Sequence, residues 1–154
     1  MSDPGFPNDL GEVLAGIQRL VRRRLRGTLP GPRVRGAQVE LLRLVRDRPG
    51  IGVSAAAREL YLAGNTVSTL VNQLVAAGML QRETAADDHR VALLHPTPEA
   101  VRRLSAWEER RSALLREQVE LLDEEHRTAL AAALPALRRL AQGLQDETGP
   151  GGGA

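Results

Sequence analysis

The segment that most constrains what this chain can fold into runs from residue 53 to residue 95. Its first part, Val53 to Leu74, reads as two short helices joined by a tight connection. It then passes through Gly78-Met79-Leu80-Gln81-Arg82 into an acidic turn and a second apolar strand. A helix pair followed by a small hairpin can present one helix to a DNA major groove and a loop to the flanking minor groove. The expected fold class is therefore mostly α with a small β-hairpin wing, a winged helix-turn-helix flanked by N- and C-terminal dimerisation helices.

The flanking sequence is helical. Residues 1–8 read as a flexible lead. Leu10, Val13, Leu14, Ile17, Leu20, Val21 and Leu25 then recur at three- and four-residue spacings, the stripe of an amphipathic helix. Leu29-Pro30-Gly31-Pro32 breaks it. A second helix covers about 36–48, with Val39, Leu41, Leu42 and Val45 inward. Ser54 is the expected N-cap of a third helix over 55–61. The fourth spans about 64–77, with Gly78 as its left-handed stop. Strands are expected over 79–84 and 90–95, joined by residues 85–89. Thr97 should cap a long helix and Asp123 the last one, which contains Pro135 and reaches about Gln145. Residues 147–154 read as a disordered tail.

At 154 residues the chain is long enough for one domain with a genuine core. Cysteine is absent, which removes disulfides, thiolate metal sites and thiol redox sensing. His89, His95 and His126 have no paired spacing, so no metal site is expected, nor any cofactor. No Gly-rich phosphate loop or nucleophile motif is found, so no enzyme is expected. No apolar run is long enough to span a membrane and no signal pattern opens the chain, which points to a cytoplasmic protein with no membrane partner. All 21 basic residues are Arg. From residue 19 to 59 there are 11 Arg against three acids, whereas residues 99–147 carry eight Arg against ten acids. A polyanion would be drawn to the first of these segments.

In the fourth helix Val67, Leu70, Val71 and Leu74 share one face and should pack inward. Asn65, Thr66, Ser68, Thr69, Asn72 and Gln73 are left outside. Asn and Gln can bond adenine bidentately, and a Thr methyl can touch a thymine methyl. Residues 63–77 contain no Arg, so phosphate contacts must come from elsewhere, with Arg58, Arg33, Arg35, Arg43, Arg82 and Arg90 as the candidates. The stripes at both chain ends have no obvious partner within such a module, and a second copy is the simplest cover.

From about residue 10 to 145 the chain resembles the MarR (multiple antibiotic resistance regulator) family of bacterial transcription factors. Gly78-Met79-Leu80-Gln81-Arg82, Asp88-His89-Arg90-Val91-Ala92-Leu93-Leu94 and Thr97-Pro98-Glu99-Ala100 are similar to that family's wing pattern, and Gln38 fits as well. Tyr61 stands where the turn often has Gly, and suggests a slightly different turn. Ala63, Gly64, Pro96 and Ala100 also depart from the pattern. The resemblance implies a homodimer that binds a pseudo-palindromic operator in double-stranded DNA, often released by a small, frequently aromatic ligand. It implies that Arg90 enters the minor groove and that Asp88 orients it. The expected layout is a single domain over 9–146, with a DNA-binding lobe at 34–97 and dimerisation helices at 9–29 and 98–146. The expected function is a sequence-specific regulator, a repressor released by a small-molecule effector. The alternative is a protein-interaction module that keeps the scaffold without reading DNA.

Overall fold

The structure is a computed structural model that describes residues 4–27, 34, 36–87 and 91–147. The described elements are α1 (Phe6–Leu25), α2 (Ala37–Asp47), β1 (Ile51–Gly52), α3 (Val53–Glu59), α4 (Gly64–Ala76), β2 (Leu80–Thr84), β3 (Ala92–Pro96), α5 (Pro98–Glu120) and α6 (Glu124–Glu147). The fold is mostly helical with a small three-stranded antiparallel sheet, as expected. Two compact units are distinguished, Met1–Ser112 and Ala113–Ala154.

Within the first unit one apolar cluster holds the elements together. Leu41, Leu42 and Val45 of α2 meet Ala56 and Ala57 of α3, and Val67, Val71 and Leu74 of α4. Met79, Leu80 and Leu94 close it from the sheet, and Ala100 and Leu104 from α5. Burying a Leu or Val side chain contributes about 1.5–3 kcal/mol, and the cluster draws on aliphatic residues and Met79 with no aromatic residue. Leu70, expected inside, is only partly buried and packs on the cluster's edge. Beside the cluster, Arg46 of α2 makes a two-pronged contact with Glu108 of α5, at 2.9 and 3.0 Å. Hydrogen bonds to Glu108 and then Asp47 raise its guanidinium pKa further above its usual value.

The sheet order is β1-β3-β2, and β1 is an addition to the expected hairpin. Ile51 pairs with Leu94 and Gly52 with Leu93. Two residues are too few to show a two-residue alternation, so periodicity cannot reveal such a strand. This pairing also corrects the start of α3. Gly52 in extended conformation precedes the helix, which begins at Val53, so Ser54 lies inside the first turn and is not the N-cap. At the other end α1 starts at Phe6, not near Leu10, because Pro7 is compatible with a first helical turn. The second strand of the hairpin is Ala92–Pro96, two residues later than its expected start. The break at 29–32 and the bulk of the expected tail lie outside the described residues.

Two helix ends use the same device. After α4, Gly78 is left-handed (φ 72°), and the Gly78 and Met79 amides donate to the Val75 and Leu74 carbonyls at 3.0 and 2.8 Å. After α3, Tyr61 takes the left-handed place (φ 53°), with the Tyr61 and Leu62 amides donating to Arg58 and Ala57 at 3.2 and 3.0 Å. Both patterns are Schellman closures. Tyr61 therefore keeps the turn that glycine usually makes, which corrects the expectation of a different one. The conformation costs a non-glycine residue about 1–2 kcal/mol. Tyr61→Gly should raise stability by a net of about 0.5–1 kcal/mol once the greater freedom of the unfolded glycine chain is counted, which denaturant unfolding would measure.

In the second unit Asp123 caps α6 as expected. Its Oδ1 accepts from the His126 amide at 2.9 Å and lies 2.6 Å from the His126 ring Nδ1. The His126 backbone N–H, and then its ring, hold the Asp123 carboxyl below its ordinary pKa. α6 is a single helix through Pro135, whose missing N–H leaves one carbonyl of the preceding turn without its usual donor.

Candidate nucleic-acid interface

The polar face of α4 exists because its apolar face is consumed. Val67, Val71 and Leu74 are buried in the core. At 100° per residue the opposite side must carry Asn65, Thr66, Ser68, Thr69, Asn72 and Gln73, and all six are exposed. The helix opens at Gly64 with Ala63 as a cap that makes no side-chain bond.

Three amides on this face are held by hydrogen bonds within the chain. Asn65 Oδ1 accepts from the Thr66 amide at 2.8 Å. Asn72 Oδ1 accepts from Arg82 Nη2, which reaches over from β2. Gln73 Oε1 accepts from Gln38 Nε2 of α2 at 2.8 Å. An Arg and a backbone amide can only donate, so the oxygens of Asn72 and Asn65 must face inward and their NH2 groups outward. The face therefore offers donors first. Bidentate pairing with adenine would have to use the second lone pair of an oxygen already engaged. Thr69 Oγ1 donates back to the Asn65 carbonyl at 3.0 Å, which leaves its methyl to face outward.

Arg82 and Asn72 come together although ten residues separate them, because Arg82 and Leu94 are register partners on the sheet face that meets the helices. Sequence reasoning placed both residues at the site but not their mutual contact. It also gave Gln38 only a family role, whereas Gln38 braces α4 through Gln73. Arg58 is exposed on α3. Arg43, a phosphate candidate, lies over Trp107 at 5.0 Å and 3.8 Å from Glu108, so it is committed to the α2–α5 contact. Asp88 and Arg90, together with His89, Arg33 and Arg35, lie outside the described residues.

The wing's root is tied down by Thr97. Its hydroxyl donates to the Gly78 carbonyl at 2.7 Å and accepts from the Ala100 amide at 3.1 Å. One side chain thus caps α5, as expected, and pins the end of α4 to the end of β3. On the outer face of the sheet His95 Nε2 lies 3.1 Å from Glu83 Oε2, within ion-pair distance but off the hydrogen-bond direction. No described helix is long and apolar enough to cross a membrane.

Comparison with known proteins agrees with this geometry. Residues 34–91 match the MarR family. A Thauera aromatica protein, provisionally described as the transcriptional regulatory protein for the hcr operon, is 29% identical over 102 residues. That match covers 64% of this chain and 60% of the relative's length. Streptococcus pneumoniae FabT, crystallised in complex with DNA, superposes with a TM-score of 0.69 at 20% identity, covering 90% of this chain and 96% of its own. A MarR family protein from Bacillus stearothermophilus gives 0.72 at 19% identity, covering 94% and 99%. The helix-turn-helix and wing root described above are the region that the family match spans, and over residues 34–91 the chain is similar to the MarR family of winged helix-turn-helix proteins.

Proposed function

We propose that this regulator is a homodimer that binds a pseudo-palindromic operator through α4 and the wing, and that it acts as a repressor released by a small aromatic effector. The observation that carries the DNA-reading part is the face of Asn65, Thr66, Ser68, Thr69, Asn72 and Gln73. It is solvent-exposed while Val67, Val71 and Leu74 on the other side of the same helix are buried in the core. In this reading the amide donors of Asn72 and Gln73 meet acceptor edges such as guanine O6 and N7 or thymine O4. Arg82 sets the orientation of Asn72, Arg58 binds phosphate, and Arg90 enters the minor groove beside Asp88. FabT, of the same fold, was crystallised with DNA.

The dimeric part rests on exposed apolar stripes. Ile17 and Leu20 of α1 are 47% and 60% exposed, and Leu134 and Leu144 of α6 are 47% and 62%. Such rows, on helices with no buried residue among the described ones, are what a second copy would cover. The effector part rests on family resemblance and is tested by calorimetry against a panel of aromatic carboxylates.

The decisive experiment is a mobility-shift titration against the region upstream of the protein's own gene. The wild type should bind a discrete site as a dimer. Asn72→Ala should weaken that binding about tenfold, or about 1.4 kcal/mol, by removing a base-directed donor. Equal affinity for the site and for unrelated duplex would favour a scaffold that does not read sequence. A lone protomer at micromolar concentration would overturn the dimer.

A further inference from the structure

The reading helix has no arginine, and several arginines near it are already committed. Arg43 and Arg46 converge on Glu108, Arg48 pairs with Glu59 at 2.8 Å, and Arg82 holds Asn72. The surplus of positive charge lies on α1. Arg19, Arg22, Arg23 and Arg26 recur at i, i+3, i+4 and i+7, which places them on one helical face. All four are exposed, with Gly16 and Leu20 beside them on the same surface. Among the described residues no carboxylate lies within ion-pair distance of any of them. The nearest acid before them on the helix, Glu12, is two turns from Arg19.

Favourable interaction with the helix dipole explains cations in the last turn. It does not explain Arg19, nor the gathering of four on one face, where Arg19–Arg23 and Arg22–Arg26 repel each other at i,i+4. A partner with closely spaced negative charge relieves that repulsion. The face is also compatible with dimerisation. At 100° per residue it centres about 170° from the stripe of Val13, Leu14, Ile17, Leu20 and Val21, so burying the stripe leaves the arginines open. Arg26 is ten residues before Gly36, which opens α2, a reach of at most about 36 Å. The first turn of α2 carries Gln38, which bonds Gln73 of the reading helix. The arginine face is thus tethered within about one DNA helical turn of α2's first turn.

We propose that Arg19, Arg22 and Arg23 of α1, with Arg26 at its C-cap, form a second DNA contact, which grips backbone phosphates flanking the bases read by α4 and supplies the charge that α4 lacks. The proposal rests on the DNA-binding reading above. Its partner is the phosphate backbone of a duplex, so the contact adds affinity without base preference.

The test compares wild type with two quadruple variants in which all four arginines become Gln or become Lys. Fluorescence anisotropy with a duplex from upstream of the protein's own gene, and with an unrelated duplex, is followed through a salt titration. Each ionic contact contributes about 0.9 to the slope of log affinity against log salt, so the Gln variant, which removes four contacts from each protomer of the dimer, should lose a slope of about 7. Preference for the upstream site should be unchanged, and the Lys variant should restore most of the slope. A Gln variant with wild-type helicity and an unchanged slope overturns the proposal and leaves the DNA-binding reading standing. A wild type that binds no duplex overturns both. Loss of binding to phosphatidylglycerol vesicles with an unchanged DNA slope assigns the face to a membrane and also overturns it. If the Gln variant loses helicity, the single changes Arg19→Gln and Arg22→Gln carry the test, each with an expected slope loss of about 1.8 for the dimer.

Discussion

Leu74→Ala should destabilise the protein by about 2–5 kcal/mol and abolish the proposed DNA binding at temperatures near the wild-type midpoint. Leu74 is 1% exposed and faces the core from the last full turn of α4. Truncation removes its transfer free energy and leaves a cavity in a cluster to which α2, α3, α4, β2, β3 and α5 all contribute. The same residue supplies the carbonyl that accepts from the Met79 amide, so a loosened last turn also loosens the entry into β2. Denaturant unfolding would give the stability loss as a fall in midpoint at constant slope. A loss below about 1 kcal/mol would mean that α4 is not anchored by its apolar face. The conservative change Leu74→Met should cost less than about 1.5 kcal/mol, because it preserves volume.

Thr97→Val should cost about 2–3 kcal/mol, a large effect for a change that keeps the side-chain shape. The hydroxyl of Thr97 does two jobs with one oxygen, donating to the Gly78 carbonyl and accepting from the Ala100 amide. Loss of an N-cap typically costs about 0.5–2 kcal/mol, and leaving a buried donor or acceptor without a partner costs about 1–3 kcal/mol. The side chain is largely buried, so water replaces the lost partners poorly. Thr97→Ser retains the hydroxyl and should recover most of the loss. Amide hydrogen exchange at Ala100 separates this account from a general packing defect. Protection of that amide should fall by more than protection in α2. Equal loss at both places would count against a specific cap.

How much of this was legible in the residues differs from element to element. The amphipathic periods of α1, α2 and α4 are written in side-chain spacing, and spacing is a local property that survives without coordinates. Gly78 and Asp123 were equally legible, because a left-handed stop and a helix cap each favour a narrow set of residue types. Tyr61 was not. Nothing in a tyrosine announces a positive φ, and the left-handed turn is imposed there by the need to swing α4 onto the core formed with α2 and α3. β1 was invisible for a related reason, since two residues carry no period and become a strand only because Leu93 and Leu94 pass beside them.

At the candidate interface the division is sharper. Which side chains stand on the outer side of α4 follows from 3.6 residues per turn and the positions of Val67, Val71 and Leu74, and the sequence alone determined it. Which hydrogen-bonding groups those side chains present was decided by tertiary structure. Arg82 of β2 and Gln38 of α2 approach from elements distant along the chain and engage the Asn72 and Gln73 oxygens. Contacts between remote segments depend on how the core brings helices and sheet together, and no local pattern records that. The arginine periodicity of α1 was likewise present in the sequence, but folding singled it out by pairing Arg43, Arg46 and Arg48 with carboxylates of other elements.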